Sequence, residues 1–554
     1  MTQTATTSKH PKGLYVLFTT EMWERFNFYG MRALLTLFLV NSLAFKESDA
    51  SIIYGGFLGL SYLTPMLGGF ISDRFLGNRN CILLGGATMA IGQILLFTSA
   101  SIFHSSVETA RLIMWTGLGV LIVGNGFFKP NISSMVGQLY PKNDSRLDSA
   151  FTVFYMGINL GAFLGITICP LLGDVKVNEI RDVTAFKWGF LAAGIAMAIG
   201  TITFLFLKNK YVVSPDGEAV GAKPKLTEAV NKHGESSKAQ FSNTATVGAL
   251  VALVVLVVLF KSIIGLNWIY SFIYASGLTL AGFIMTDKTL TSVERSRIIV
   301  MYFVAFFVIF FWACFEQAGS SLTFIADNQT DRHLFGWDMP PSLVQNANSF
   351  FIIVFALPFS FLWLWLSKKN MEPISPAKQA IGLILLSIGF LIIAFQVKDI
   401  GTTGKVGVIW LIVMYLFHTL GELCLSPIGL SLVSKLAPIR FSSLLMGVWF
   451  LANAAGYALA GTLGSVLPPT GDKYKIAGDN GIDLQAVLDG KINSASVLSK
   501  LESLKLPTAY PKFAGFTIHN LFEFFMLFVI LPGAAGIVLF LISPMLKKMM
   551  HGVK

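Results

Sequence analysis

The stretch of sequence that decides the fold is EMWERFNFYGMR, residues 21–32. It lies inside a mostly apolar run, residues 13–40, that is long enough to cross a membrane as a helix. A charge at the centre of a bilayer costs about 2.5–3.5 kcal/mol, so charged side chains at this depth indicate a function. At 100° per residue, Glu21, Glu24, Arg25, Phe28 and Arg32 fall on one face of the helix, which therefore carries both signs of charge. The alternative interpretation is a salt-bridged face that serves only packing.

The composition indicates a membrane protein. The 554 residues are 54% hydrophobic and 13% charged, and the mean hydropathy is +0.67. Apolar runs of membrane-spanning length recur along the whole chain, and the polar residues 1–12 do not resemble a cleavable signal peptide. The basic residues punctuate the ends of apolar segments, so the net charge of +11 does not indicate nucleic-acid binding. The four cysteines have no metal-ligand spacing and form no disulfide framework, and we expect neither a metal nor another cofactor.

The apolar runs predict an all-α polytopic fold with fourteen transmembrane helices. Two six-helix bundles, 13–207 and 293–554, follow a cytoplasmic tail, 1–12, and flank a linker with an inserted two-helix hairpin, 208–292. A polar insertion, 467–511, is expected outside the membrane, with one short helix near 483–504. The predicted spans are 14–43, 50–74, 81–103, 109–136, 149–173, 185–207, 246–262, 264–285, 293–326, 342–367, 376–397, 405–435, 440–466 and 514–545.

Lysine and arginine predict the orientation. Of the 41 such residues, 23 lie on the side of the termini, 15 on the other side and three within the membrane. Six of the 15 belong to the long insertion, which counts little in the positive-inside rule. We therefore expect both termini in the cytoplasm and the chain in the cell (inner) membrane.

The turn after the second span resembles the G-x-x-x-D-R-x-x-G-x-R loop of the major facilitator superfamily. It reads Gly69-Phe70-Ile71-Ser72-Asp73-Arg74, followed by Gly77 and Arg79. Glycine permits close helix approach, and Asp73 can act as a latch that one conformational state releases. The alternative is a charged turn that merely ends the helix. With two six-helix halves, this loop indicates a transporter whose halves rock about a midplane site.

Polar groups at membrane depth differ between the two halves. Beyond the first span, the first half contributes Lys129 and Asn159, whereas the second contributes Glu316, Gln317, Asn348, Glu422 and Ser426. A cavity between them would have a basic wall and an acidic wall, which suits a zwitterion. Arg32 and Lys129 suit its carboxylate, and Glu422, helped by Asn159, suits its ammonium. Any single aromatic side chain of this sequence more often faces lipid or packs in the core. The resemblance to a known transporter family, given below, implies that six of them form the pocket walls: Tyr29, Tyr62, Tyr155, Trp312, Phe315 and Trp449.

The chain resembles the proton-dependent oligopeptide transporters, the peptide-transporting family of the major facilitator superfamily, essentially from end to end. Residues 21–30 match the ExxERFxYYG motif, with Phe28 in place of the first tyrosine, and residues 151–163 match a second signature. Residues 311–317 resemble an FWxxFxQ pattern in span seven, and residues 421–427 resemble a GE…SP pattern in span ten. The hairpin between the halves is typical of bacterial members.

The resemblance implies a proton-coupled symporter that imports di- and tripeptides by alternating access. It implies that Arg32 and Lys129 hold the peptide carboxylate and that Asn159, Asn348 and Glu422, with Ser426 nearby, hold the amino terminus. Proton coupling would rest on Glu21, Glu24 and Arg25, together with Lys129 and Glu316. Two gating salt bridges, Arg32–Glu316 and Lys129–Glu422, would close the halves on one side. The coupling ion is the proton, and the partners are the peptides and the lipid bilayer.

One position departs from the animal members of that family, which carry a histidine in span two where this chain has Gly55. Proton handling must then rest on carboxylates. His418 lies one helical turn before Glu422, but a buried histidine with satisfied nitrogens is the favoured interpretation.

Three other functions remain open from the sequence. A nitrate or other small-anion transporter of the same family would not need the complete set of residues for peptide termini. A drug exporter of the wider superfamily would move its substrate outward. An integral-membrane enzyme would need a catalytic constellation, and the sequence offers no recognisable triad or metal cluster.

Overall fold

The computed structural model describes residues 9–141, 144, 146–177, 180–223 and 241–553. The helices up to the inserted hairpin are α1 (Lys12–Asn41), α2 (Glu47–Ile71), α3 (Asn78–Ile102), α4 (Val107–Val136), α5 (Leu147–Gly173), α6 (Phe186–Tyr211), α7 (Asn243–Leu259) and α8 (Trp268–Met285). The later helices are α9 (Ser292–Phe315), α10 (Ser321–Asn328), α11 (Asn346–Lys368), α12 (Ser375–Val397), α13 (Val408–Leu436), α14 (Ser442–Gly464), α15 (Gly471–Asp479), α16 (Leu484–Leu488), α17 (Ala495–Ser503) and α18 (Leu521–Met549).

Short strands occur only in connections between the described helices. Two-residue strands form four pairs, of which β3–β6 is parallel and the other three are antiparallel. The strands are β1 (Lys176–Val177), β2 (Ile180–Arg181), β3 (Thr330–Asp331), β4 (His333–Leu334), β5 (Trp337–Asp338), β6 (Val406–Gly407), β7 (Lys512–Phe513) and β8 (Phe516–Thr517).

Within the described residues, thirteen helical segments are long and apolar enough to cross a membrane. The charged helix α1 is a fourteenth long helix and is not among them. Every 18-residue window of α1 contains Glu24 and Arg25 together with Glu21 or Arg32, so its composition is polar for a membrane span. Polar caps begin several of the helices: the Asn267 side chain accepts from the Tyr270 amide at 2.8 Å at the start of α8, and Thr291 and Glu294 form a capping box on α9.

The chain divides into two compact units. The first comprises Met1–Phe38 and Ser61–Gly234, and the second comprises Leu39–Leu60 and Glu235–Lys554. In the first unit, α3 and α4 pack closely along glycines: a Cβ on Gly85 would lie 2.7 Å from the Gly124 carbonyl oxygen. In the second unit, buried side chains of α9, α12, α13, α14 and α18 form a continuous apolar core.

The end of α1 and the first half of α2 belong to the second unit, whereas the sequence predicts them in the first bundle. The contacts explain the grouping. Tyr270 on α8 donates to the Ile52 carbonyl oxygen at 2.9 Å, and Ser320 and Ser51 hydrogen-bond at 2.8 Å. The predicted boundaries between bundles stay a prediction.

The first part of the predicted linker is mostly exposed to solvent, but it is ordered by helix and hydrogen bonds. Helix α6 continues to Tyr211, and Arg79 binds the chain that follows it: Arg79 Nε donates to the Val220 carbonyl oxygen at 2.6 Å, and its Nη2 donates to that of Val212. A buried arginine that donates to several carbonyl oxygens fixes the backbone of this segment. Its polar composition alone predicts only a solvated linker. Residues 224–240 of the predicted linker lie outside the described residues.

The span predicted at 293–326 is interrupted. Helix α9 ends at Phe315, a 3₁₀ turn follows over Glu316–Gly319, and α10 then begins at Ser321. Side chains satisfy backbone groups near the break, since Gln317 Nε2 donates to the carbonyl oxygens of Ala313 at 2.9 Å and Ala460 at 3.0 Å. Irregular backbone at membrane depth is tolerated where protein groups supply such hydrogen bonds.

The insertion at 467–511 contains three helices, α15, α16 and α17, where one was expected. They enclose a small apolar core of their own: Ala477, Ile482, Leu484, Val487, Leu488, Leu501 and Leu506. Lys473 attaches the insertion to the N-terminal end of α2, because its Nζ lies 2.9 Å from Glu47 Oε1. Burial alone would lower the pKa of the Lys473 ammonium, but the carboxylates of Glu47 and Asp472 outweigh burial and raise that pKa. The ammonium therefore stays charged at physiological pH.

Candidate functional site

The charged side chains of the α1 motif form one buried cluster. Arg25 Nε lies 2.7 Å from Glu21 Oε1 and 3.0 Å from Glu24 Oε2. The three residues are at most 5% exposed, and Glu24 is fully buried. A guanidinium between two carboxylates leaves one negative charge uncompensated when both carboxylates are ionised. Within α1, the Arg25 guanidinium can therefore neutralise only one of the two carboxylates.

Helix α4 supplies the neighbouring polar groups. Asn125 Nδ2 donates to Glu24 Oε1 at 3.5 Å, and Lys129, one turn further along α4, interacts electrostatically with Glu24. Lys129 Nζ also lies 3.3 Å from the centre of the Tyr62 ring on α2, a cation–π contact. The predicted residues Glu24, Lys129 and Tyr62 thus belong to one cluster. Sequence reasoning missed Asn125, although it lies one turn before Lys129 on the same face of α4.

The C-terminal end of the charged face of α1 is aromatic and basic. Arg32 Cζ lies 4.8 Å from the centre of the Tyr29 ring, and Phe28 packs edge-on against Tyr29. Arg32 is 7% exposed. A guanidinium on an aromatic ring keeps its planar fork of donors, which suits a carboxylate. Their predicted role in binding substrate stays a prediction.

Glycines let the second signature helix lie directly against this cluster. A Cβ on Gly161 of α5 would meet the Met22 carbonyl oxygen and would lie 2.9 Å from Arg25 Cβ, and one on Gly165 would meet the Phe26 carbonyl oxygen. Backbone contact at two successive turns fixes α5 against α1. On α5, Asn159 Nδ2 donates to the Tyr155 carbonyl oxygen at 2.9 Å, and Tyr155 is exposed.

The second unit holds its own predicted residues together by neutral donors. Asn348 Nδ2 on α11 donates to Glu422 Oε2 at 3.1 Å and to Thr419 Oγ1 at 3.0 Å, which links α11 to α13. Ser426 lies one turn beyond Glu422 on α13. The predicted pair of Asn348 and Glu422 is therefore brought together, and Thr419 is a third member that the sequence did not point to.

Glu316 lies at the break between α9 and α10 and is 4% exposed. The fully buried Tyr54 donates its hydroxyl to Glu316 Oε2 at 3.0 Å. No sequence pattern connects these residues, which are 262 positions apart. The predicted pairs Arg32–Glu316 and Lys129–Glu422 each join residues of different units, and they stay predictions.

The predicted aromatic residues of this unit differ in their surroundings. Trp312 is partly buried and meets Phe315 and Tyr457 edge-on, at 5.5 and 5.8 Å between ring centres. Trp449 is 4% exposed and packs against Gly429. Whether they line a pocket stays a prediction.

The interpretation of His418 as a buried histidine with satisfied nitrogens is half wrong. The side chain is fully buried, 4.5 Å from the Phe390 ring centre. Neither ring nitrogen, however, has a hydrogen-bond partner among the residues that the structure describes. Aromatic neighbours pack against the ring but offer it no acceptor.

The structure explains why Gly55 cannot be a histidine in this packing. A Cβ at this position would lie 2.6 Å from Tyr270 Oη and 2.7 Å from Gly461 Cα and the Tyr457 carbonyl oxygen. A Cβ atom does not come this close to non-bonded atoms in real structures, so α2 needs glycine where it crosses α8 and α14. Tyr54, the preceding residue, is the one that reaches a carboxylate.

An ion pair between Arg146 and Asp144 lies outside the membrane segments of the first unit. Arg146 contacts Asp144 at 2.7 Å, and this hydrogen bond lowers the pKa of the Asp144 carboxyl to about 2. This pair is therefore ionised at neutral pH.

Comparison with known proteins gives the family. A sequence model described as the POT family matches residues 79–472. The chain belongs to the POT family. A relative described as the peptide transporter YePEPT, from Yersinia enterocolitica, is 33% identical over 82% of this chain and 88% of its own length. Dipeptide and tripeptide permease B of Aliivibrio fischeri is 30% identical over 81% of this chain and 85% of its own length.

Solved structures of the family share the fold. A crystal structure of a peptide transporter POT in complex with sulfate has a TM-score of 0.71 and 29% identity, and covers 99% of this chain and 98% of its own. A POT family transporter in complex with 5-aminolevulinic acid has the same TM-score at 28% identity, over 97% of each chain. The predicted fold, an all-α polytopic protein of the major facilitator superfamily, is confirmed, as is the predicted family.

Proposed function

We propose that this POT family member is a proton-coupled symporter that imports di- and tripeptides. The observation that carries the proposal is the buried Glu21–Arg25–Glu24 cluster. Its two buried carboxylates give the first unit a place to take up a proton away from bulk water. The relatives named as peptide transporters and as dipeptide and tripeptide permeases support peptides as the substrate class.

The chemistry assigns a different task to each unit. Arg32 and Lys129 would bind the peptide carboxylate, while Glu422 and Asn348 would bind the peptide ammonium. Protonating Glu21 or Glu24 would weaken the hold of the carboxylates on Arg25. Proton and peptide then bias the same two-state equilibrium, which is the thermodynamic content of coupling. The protein would lie in the cell (inner) membrane with both termini in the cytoplasm. It would transport its substrate without cleaving it and would use no cofactor.

Uptake into proteoliposomes tests the proposal. Labelled dialanine is added under an inward proton gradient, with and without a protonophore, and the Glu21→Gln variant is compared with wild type. We expect gradient-driven accumulation in wild type and its loss in Glu21→Gln, with exchange of internal against external dialanine retained. Accumulation of dialanine that ignores the proton gradient would contradict the proposal.

Three further arms separate the alternatives. Trialanine should compete with dialanine, whereas nitrate should not, and competition by nitrate would favour an anion transporter. Outward movement against the gradient would favour an exporter. Release of free alanine from dialanine by the purified protein would favour an enzyme.

A further inference from the structure

Buried amides surround the acidic cluster of the first unit. Gln93 Nε2 on α3 donates to Asn27 Oδ1 on α1 at 2.6 Å, and both side chains are fully buried. Glu24 lies one turn before Asn27 on α1, and it accepts a hydrogen bond from Asn125 of α4. The Asn27–Gln93 pair joins two neutral groups, whereas Asn125 holds a group that can change its charge.

The hydrogen bonds of Asn125 and Glu24 are incomplete. Asn125 is 1% exposed, and its Oδ1 has no hydrogen-bond partner among the described residues. Glu24 Oε2 likewise accepts no hydrogen bond there, because the Nε–H of Arg25 is directed at Glu21. An amide acceptor without a donor therefore lies next to a carboxyl group that can become one by taking up a proton.

The backbone that carries Asn125 is fixed on two sides. A Cβ on Gly124 would lie 2.6 Å from Met89 of α3, and one on Gly126 would lie 2.8 Å from Thr64 of α2. These contacts leave the α4 backbone little freedom to shift, so a change in the protonation of Glu24 must be met by rotation of the amide group itself.

We propose that Asn125 is a positioning residue for Glu24 in proton uptake, an inference that rests on the proposed function. With Glu24 ionised, Asn125 Nδ2 donates to the carboxylate. A proton delivered from a hydronium ion adds to a Glu24 oxygen and leaves water behind, and the new O–H then donates to Asn125 Oδ1 once the amide has turned. Asn125 thereby hydrogen-bonds both protonation states.

The other charged groups that face Glu24 are Glu21 and Arg25 of α1 and Lys129 of α4, and Tyr62 of α2 lies against Lys129. On α3, the neutral amide of Gln93 donates to Asn27, one turn along α1 from Glu24. Replacing Asn125 leaves all these groups in place. A change in proton uptake can then be assigned to the amide.

The test is the pH profile of gradient-driven dialanine uptake in proteoliposomes. Asn125→Leu removes the donor to the ionised carboxylate, which favours the protonated form. The midpoint of the profile should therefore move to higher pH by about one unit. Asn125→Asp is isosteric, also removes the donor and adds a negative charge, so it should move the midpoint further in the same direction.

Asn131→Leu is the matched control, because Asn131 is a buried asparagine of α4 whose side chain donates to the Phe127 carbonyl oxygen instead. It should leave the midpoint unchanged, whatever it does to the amount of folded protein. Exchange of dialanine without a gradient, measured on each variant, reports substrate binding separately. If wild type exchanges no dialanine, the proposed function fails; if wild type accumulates it and both Asn125 variants keep the wild-type midpoint, the role of Asn125 fails alone. Where Asn125→Leu does not fold, the isosteric Asn125→Asp decides.

Discussion

The two units hold their carboxylates in different ways. In the first unit, a guanidinium lies between Glu21 and Glu24. In the second, Glu316 accepts from the hydroxyl of Tyr54, and Glu422 accepts from the amide of Asn348. Neutral donors do not cancel a charge, so these two hydrogen bonds leave the charge of each carboxylate in place. The contrast suits proton uptake in the first unit and recognition of an ammonium in the second.

The largest effect is expected from breaking the ionic cluster. Arg25→Leu leaves two buried carboxylates without their guanidinium, at a cost of about 3–5 kcal/mol. We expect a large fall in the thermal unfolding midpoint of the purified protein, or loss of folded protein. Adding Glu21→Gln and Glu24→Gln to this variant removes the orphaned charges and should restore most of the stability but not gradient-driven uptake. Wild-type stability of Arg25→Leu alone would remove the basis of the contrast.

A second experiment tests the packing of the first half of α2, which belongs to the second unit. Gly55→His should destabilise the protein by about 1–3 kcal/mol or more, because its side chain overpacks the crossing with α8 and α14. It should not create a new proton site. Gly55→Ala should destabilise in the same direction, while Gly56→Ala is the matched control, since a Cβ there lies 3.6 Å from the nearest atom of Tyr270. Equal stability of the two alanine variants would contradict this packing.

The neutral hydrogen bond in the second unit is tested by Asn348→Leu. A hydrogen bond to a charged group contributes about 1.5–3 kcal/mol, so we expect the KM for dialanine to rise by about tenfold or more. The pH profile of uptake should keep its midpoint, unlike that of the first-unit variants. N-acetyl-dialanine, which lacks the ammonium, serves as the control competitor and should lose little affinity. A shifted midpoint with an unchanged KM would reverse the assignment of tasks.

The smallest effect on transport is expected from Asp144, which forms an ion pair with Arg146 outside the membrane segments. The pKa of its carboxyl is lowered to about 2, so the stabilisation by Arg146 is complete above the ordinary pKa of an aspartate and is lost only as the pH falls through about 2. Asp144→Asn should therefore leave the uptake profile between pH 5 and pH 8, about the range of interest, unchanged. A changed profile would mean that proton dependence arises outside the buried cluster.

The sequence predicted the parts of the site that are local in the chain. Glu24 and Arg25 follow Glu21 by three and four residues, so helical periodicity alone brings them close to it. The same reasoning cannot find Tyr54 for Glu316 or Asn125 for Glu24, because those contacts depend on which helices pack together.

Two features of the fold were beyond periodicity for other reasons. Helix α16 has only five residues, which is too short for a recurring apolar pattern, so the core of the insertion was not recognised. The break after Phe315 carries no proline, and the hydrogen bonds of Gln317 that support it come partly from another helix. The histidine at 418 was assigned satisfied nitrogens from its burial alone, and its aromatic surroundings overturn that assignment.

The most direct test of the central claim is peptide-driven proton influx. Proteoliposomes containing a pH-sensitive dye are given external dialanine without an imposed gradient, and internal pH is followed for wild type and Glu21→Gln. We predict internal acidification with wild type and none with Glu21→Gln, although that variant still exchanges labelled dialanine. Dialanine entry into wild-type vesicles with no acidification, or acidification that persists in Glu21→Gln, would contradict the account.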